Sequence, residues 1–397
     1  AMDVILFDGP EWEDLLPLTY TRPVAGLRIG IDTIEEKWNA ALDTKCKILT
    51  QAYIQPKYLV LPSEDYVMIN GAYLPSPFLT DAVKNLKPYQ KLIINDEIIA
   101  VRSSVAFDLG KSAEDLDREL EKISITTSSP LIHILYPWHL FQYNDIVLKE
   151  DFKRLTHQRK SGTISSTNQL FGDQIFLGKN VKVEGAILNS LTGPIYLDDN
   201  TEIMEGAMIR GGLALGEGSS VKMGAKLYGA NTFGPHCKIG GEVTNSIFQG
   251  YSNKGHDGYL GNSVIGEWCN FGADTNSSNL KNNYKKVSIY NHKTDTLIDS
   301  GQQFLGLIMG DHSKTGINTM LNTGTVIGVS ANIFGAGFPP TLVPSFTWGN
   351  DVNPNTYLLD KALEVAKAVM ARRNIEFSDE DKEILTTIFE LTSKYRK

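Results

Sequence analysis

The chain has 397 residues, 42% of them hydrophobic and 21% charged, with a formal net charge of −8. That composition suits a globular protein of about two domains and excludes a general nucleic-acid binder, while leaving room for a local basic site for a phosphorylated metabolite. No run of 18 apolar residues occurs and the first 25 residues carry acids without a hydrophobic signal core, which predicts a cytoplasmic protein. Cys46, Cys237 and Cys269 are too far apart to suggest a disulfide framework or a CxxC metal site.

Residues 1–165 read as an α/β domain. Val4-Ile5-Leu6-Phe7, Tyr66-Val67-Met68-Ile69 and Leu92-Ile93-Ile94 have the unbroken apolar character of buried strands, and helical stretches are predicted near 31–40, 79–86 and 113–123. Such alternation implies a mostly parallel sheet of Rossmann type. Ser161-Gly162-Thr163 marks the expected linker.

The next segment, 166–345, obeys a different rule. Of the 35 glycines, 28 lie between 171 and 340, without the triplet spacing of collagen and among too many branched aliphatics for disorder. Leu197, Ile203, Ile209, Leu215, Val221, Leu227, Phe233 and Ile239 recur every six residues, and a second phase runs through Met309, Thr315, Leu321, Ile327 and Ile333. A six-residue period fits neither a helix nor a hairpin. It fits a left-handed parallel β-helix in which three hexapeptides close one triangular turn, with small residues such as Ala207 and Ala225 near the corners. Residues 346–397 form a helical cap. Apolar residues recur at helical spacing through 357–370, and a second helix starts with Ser378 as N-cap and Asp381 three residues on. Arg372 and Arg373 between them read as solvated helix-end charges.

The rhythm breaks between Gly241 and Lys286, and a repeat that loses phase is expected to expel a loop. Lys254, His256, Tyr259, Asn270, Asn279, Lys281, Lys285 and Lys286 fall there with few acids. Lysines for a phosphate, amides for hydroxyls and a histidine able to move a proton suit an anionic, polyhydroxylated ligand. His236 and His312 have turn surroundings and receive no role.

The run K-x-H-x-x-Y-x-G-x-S-x-I-G from Lys254, followed by N-x-G-A from Asn270, resembles the acetyltransferase half of the GlmU-like bifunctional sugar-1-phosphate nucleotidyltransferase/acetyltransferases. The resemblance spans roughly 170–340. It implies His256 as general base, Ala273 as backbone oxyanion donor, and Lys254, Tyr259, Asn270, Asn279 and Lys285 as contacts to the sugar phosphate. Acetyl-CoA would be the co-substrate, near Gly316 and Ala336, although Ile317 stands where relatives often carry serine. The N-terminal pattern L-L-P-L-T-Y-T-R-P-V-A-G-L-R-I-G-I resembles a divergent nucleotidyltransferase group. There Gly9, Arg22 and Arg28 retain only a trace of the phosphate loop, and Ala72 replaces the aspartate of an N-G-D metal strand. Mg2+ and a nucleoside triphosphate are implied only if that domain is active. The family implies a homotrimer that acetylates an amino-sugar 1-phosphate. The alternatives are a uridylyl- or thymidylyltransferase whose β-helix serves assembly, and a non-catalytic trimer that binds a sugar nucleotide.

Overall fold

The computed structural model describes residues 2–61, 64–103, 120–125, 130–349 and 355–396. They fall into two compact units, one made of Ala1–Leu15, Arg22–Leu27 and Thr33–Leu135, the other of Leu16–Thr21, Arg28–Asp32 and Tyr136–Lys397. Among the described residues no helix is long and apolar enough to cross a membrane.

In the first unit, β1 (Asp3–Phe7) pairs in parallel with β2 (Lys47–Leu49) and β3 (Tyr66–Asn70). Its residues Val4, Ile5 and Leu6 are all buried, as an unbroken apolar run requires of a central strand. β4 (Gln90–Ile94), β5 (Glu97–Ser103) and β6 (Glu121–Ser124) complete a sheet of order β2-β1-β3-β5-β4-β6. That sheet is mixed, because β5 runs antiparallel to both β3 and β4. The cause is local: Asn95 and Asp96 join β4 to β5 with φ of 51° and 63°, and two consecutive left-handed residues make a tight hairpin that admits only antiparallel pairing.

The short α1 (Glu11–Asp14) follows β1, and α2 (Ile34–Leu42) begins at a capping box of Thr33 and Glu36. α3 (Pro77–Lys84) begins where Ser76 accepts the Leu79 N–H at 3.1 Å. The helix predicted at 113–123 lies mostly outside the described residues, and its last positions, 121–123, belong to β6.

The second unit is a three-sided coil of parallel strands. One face is a nine-stranded sheet and the second a ten-stranded one; the third has six strands and a further pair. The six-residue period has a direct structural meaning. Leu197, Leu215 and Phe233 stack on the first face; Ile203, Val221 and Ile239 on the second; Ile209, Leu227 and Val243 on the third. All nine are at most 1% exposed: up to Ile239 every sixth residue points inward and every eighteenth lands on its predecessor, and Val243 keeps the column although it comes only sixteen residues after Leu227. At the corner before the second face each rung needs a left-handed residue. Asn180, Asn200 and Gly218 supply it low in the coil (φ 55°, 59° and 71°), as the conformational preferences of those residues allow.

The phase break opens the coil only at its far end, and the stretch from Gly241 to Ser277 stays within it. Eighteen residues separate Val221 from Ile239, but fifteen separate Ile239 from Lys254, and the strands still pair. Shortened turns absorb the missing residues. The segment that leaves the coil is 278–306, which carries an antiparallel hairpin of Ser288–Asn291 with Thr296–Asp299.

The helix α4 (Pro137–Thr156) packs on the coil: Asn144 Nδ2 donates to Thr232 Oγ1 at 3.0 Å, and Asn144 Oδ1 accepts the Gly30 N–H at 2.7 Å. α5 (Leu359–Ala371) buries Ala362, Ala366 and Met370 along one stripe. α6 (Asp379–Leu391) starts at the Ser378–Asp381 capping box that the sequence implies.

His292, at the end of the expelled hairpin's first strand, is ringed edge-on by Tyr20, Tyr290 and Tyr395 at centroid distances of 5.8, 5.0 and 5.6 Å. Its Nδ1 has no hydrogen-bond partner among the described residues. Burial pushes its pKa down from 6.5 to about 4. Between those values the unfolded chain binds the proton that the folded chain refuses, so stability falls as pH drops from about 6.5 towards 4. Urea titrations from pH 7 to pH 4 should show His292→Phe losing less stability than the parent; equal losses would show that His292 is not responsible.

Candidate functional site

The third face of the coil and the corner leading into it carry the densest set of chemistry-bearing side chains. At that corner the turn 255–258 lies one rung below the turn 272–275, joined by the Asp274 N–H donating to the Asp257 carbonyl at 2.9 Å. The turn 316–319 lies one rung above, its Asn318 N–H donating to the Ala273 carbonyl at 2.8 Å. Rungs are spaced about 4.8 Å apart. His256, Ala273 and Gly316-Ile317 therefore line one ridge in consecutive steps. His256 is exposed there, and the Ala273 N–H makes no backbone bond among the described residues.

Tyr259 opens the strand that follows His256, and the structure joins it to Asn279 across the width of the third face. Asn279 Nδ2 donates to Tyr259 Oη and to Asn262 Oδ1, both at 3.0 Å. Burial raises the Tyr259 pKa, against the lowering effect of the Asn279 bond, so its phenol stays a neutral donor near pH 7. Gly261 lies beneath: a Cβ there would stand 2.6 Å from both Asn279 Nδ2 and Tyr259 Oη. Lys285 follows Asn279 on the expelled segment and is exposed.

Lys254 departs from the expectation of a phosphate contact. It occupies an inward position in register with Ile239 and is 3% exposed. Its ammonium donates to the carbonyls of Gly240 (3.1 Å), His256 (3.3 Å) and Gly258 (2.5 Å), which leaves no proton for a ligand. Burial lowers its pKa to about 8 although Asp257 and Glu242 oppose the shift. Its role is to hold the backbone of the His256 turn. Asn270 is likewise placed elsewhere, pointing outward on the second face beside Asn253. Ala336 lies at an exposed turn beyond Gly316, and Ile317 is 72% exposed on the ridge.

The first unit has a polar cluster that sequence reading missed. The carboxyl ends of the parallel strands β1, β2 and β3 gather Asp8, Thr50, Gln51 and Asn70, the edge at which open α/β sheets bind ligands. Asp8 accepts from the Val24 N–H (2.9 Å), the Thr50 hydroxyl and the Gln51 amide (3.4 Å). Burial nevertheless pushes its pKa up to about 6. Glu11 accepts from Asn70 Nδ2 at 3.0 Å and pairs with His133 Nε2 at 3.3 Å. Burial alone would raise its pKa, but the bonds to His133 and Asn70 outweigh it and hold the carboxyl below its usual range. His133 stacks on Tyr73 at 4.1 Å, and the Tyr73 hydroxyl donates to Glu97. The D-G-P-E run after the first strand was the available signal; nothing in the sequence around His133 announces it.

The expected phosphate loop is not assembled. Gly9 is needed for packing, since a Cβ there would meet a Glu11 carboxylate oxygen at 2.6 Å and Asn70 Nδ2 at 2.8 Å. Arg22 is buried, its carbonyl accepting from Trp12 Nε1. Arg28 belongs to the second unit, where its guanidinium donates to the carbonyls of Gln249 (3.3 Å) and Ile31 (2.9 Å). Among the described residues no three His, Cys, Asp or Glu side chains could hold a metal. Ala72 offers no oxygen from its side chain, and Asp8 and Glu11 are both engaged by protein donors, so this donor set does not fit a magnesium ion.

Residues 4–160 match the family model described as sugar nucleotidyl transferase. The chain is 39% identical over 99 residues to the bifunctional sugar-1-phosphate nucleotidylyltransferase/acetyltransferase of Sulfurisphaera tokodaii, covering 24% of this chain and 24% of that protein. It is 38% identical over 89 residues to the bifunctional protein GlmU of Methanocaldococcus jannaschii, covering 22% and 21%. A longer match, 29% identical over 180 residues, joins it to the GlmU of Synechococcus elongatus, covering 43% and 35%. The matched parts thus span about a quarter of the first two relatives' lengths. Among solved structures, the polySia-specific acetyltransferase NeuO overlaps 53% of this chain and 99% of its own at 12% identity and a TM-score of 0.27, a likeness that carries no argument.

Two outcomes follow from the buried groups. The folded pKa of Asp8, raised from 3.8 to about 6, makes its contribution to stability drain away as pH rises through that window. Asp8→Asn should therefore raise the melting temperature at pH 7.5 more than at pH 4.5, and the reverse order in thermal scans would refute the assignment. Lys254→Met keeps the aliphatic stem but takes a donor from the Gly240 and His256 carbonyls, while Gly258 keeps the Glu242 N–H, and should cost about 1–3 kcal/mol in urea unfolding.

Proposed function

We propose that this GlmU-like chain is a sugar-phosphate transferase whose coil moves an acetyl group from coenzyme A to the amine of an amino-sugar 1-phosphate. The observation that carries the reading is the third face itself: His256 and the Ala273 N–H stand on successive rungs of one edge, and the bonded group Tyr259–Asn279–Asn262 spans the face beside them.

The chemistry assigns each group a part. Tyr259 and Asn279 take sugar hydroxyls, and Lys285 takes the phosphate as a mobile point charge. His256 accepts the amine proton as the nitrogen attacks the thioester carbonyl. The Ala273 N–H meets the oxygen that becomes negative. The carbon–sulfur bond then breaks, and the thiolate takes the proton back from the imidazolium. Gly316 and the exposed Ile317, one rung up, present a bare and apolar stretch suited to the acyl donor's chain. Lys254 acts through the backbone by fixing the turn, and the stiffness of the stacked rungs keeps these distances.

The first unit, on this proposal, binds a nucleotide sugar or sugar phosphate at its strand ends without turning it over. The family match over 4–160 supports a second reading, active nucleotidyl transfer, but Ala72 and the engaged carboxylates weigh against it. The proposal includes a homotrimer. Met208, Tyr228 and Met320 on the third face are 45%, 37% and 39% exposed, an apolar surface that a neighbouring copy would cover.

His256→Ala should reduce coenzyme A release with glucosamine 1-phosphate by about 10²–10⁴-fold while leaving the melting temperature unchanged. An unaltered rate removes His256 from the mechanism. Light scattering should give a mass near three times 43.9 kDa, and a monomeric mass at micromolar concentration contradicts the shared face.

A further inference from the structure

A cavity of about 400 Å³ opens between the second face of the coil and the C-terminal end of α5. Four cations line it, Lys238 and Lys314 from the coil and Arg372 and Arg373 from the helix end, and none of its lining residues is a carboxylate. The outward amides of Asn253 and Asn270 stand between them, and Tyr251 and Trp268, stacked at 4.4 Å, wall the side nearest the corner.

The positive charges are poorly compensated. Arg373 donates to one neutral acceptor, Asn253 Oδ1, at 3.2 Å, and Lys314 donates to the His312 carbonyl at 3.1 Å. Burial lowers the pKa of Lys238, and Arg373, Lys222 and Arg372 add to the shift by repulsion. The C-terminal dipole of α5 offsets only about half a charge. Four like charges held around one small space, drawn from two separate elements, repel each other unless an anion enters. One phosphate carries too little charge for this set; two linked phosphates match the four cations better, with the amides left for hydroxyls.

We propose that this cavity binds the diphosphate group of a diphosphate ester. The site shares no residue with the His256 ridge and does not depend on the assignment of acetyl transfer. Two kinds of molecule carry the shared chemistry, a nucleoside diphosphate sugar and coenzyme A.

Calorimetric titration of the full chain with inorganic pyrophosphate, a uridine diphosphate sugar and coenzyme A tests the site. Pyrophosphate should bind at one site per chain, with affinity that falls as salt rises. Arg372→Glu and Lys238→Gln are at exposed positions and relieve repulsion, so the free protein should melt no lower than before. Each should weaken binding about tenfold or more. An organic ligand that binds more tightly than pyrophosphate and loses that advantage in both variants supports the site and names its source; pyrophosphate binding alone, lost in both, supports it as a diphosphate pocket. No binding of any of the three, or binding that both variants leave intact, overturns the proposal.

Discussion

Each rung of the coil must set an inward side chain on top of the one below, and the rest of the second unit depends on that register. The stack through Val221, Ile239, Lys254 and onward beside Phe271 shows how strict it is. Where the rung shortens, the column is not abandoned; it is occupied by a lysine whose stem packs like an aliphatic and whose ammonium reaches the backbone. A charge in that place requires acceptors, and the turn that carries His256 provides them. The same event that disturbs the repeat therefore pins the turn that carries His256.

The corners obey a second demand of the coil. At the corner before the second face each rung has a residue at positive φ, asparagine or glycine low in the coil. In the middle rungs His236, Tyr251, Trp268 and His312 take that conformation, with φ between 51° and 64°, and their rings stack along the corner. Left-handed conformations of such bulky residues are unfavourable alone. Ring stacking between rungs offsets that strain and builds one wall of the cationic cavity. Backbone geometry and ligand chemistry thus meet at the same side chains.

In the first unit, topology and chemistry part company. Its parallel strands bring polar residues to the edge where nucleotide-binding sheets operate, but those residues bond to one another. Glu11, Asn70 and His133 form a closed set, and Gly9 is small because that set leaves no room. The frame of the fold is kept while its donors turn inward, which is the ground on which binding without metal-assisted transfer is proposed for this unit.

From the sequence alone the coil could be read almost in full, because a six-residue apolar period has one economical explanation and each position in it reports a direction, inward or outward. The capping box at Ser378 and the buried strand at Val4–Phe7 were legible for the same reason: they are local patterns with local causes. What required the tertiary structure was the destination of polar side chains. Lys254, Arg28 and Asn270 look alike as ligand contacts in a string of letters. Only folding shows that the first donates inward to three carbonyls, the second to carbonyls of Gln249 and Ile31, and the third faces another side of the coil. Apolar residues are placed by periodicity, whereas a hydrogen bond is settled by whichever partner the fold brings within about 3 Å.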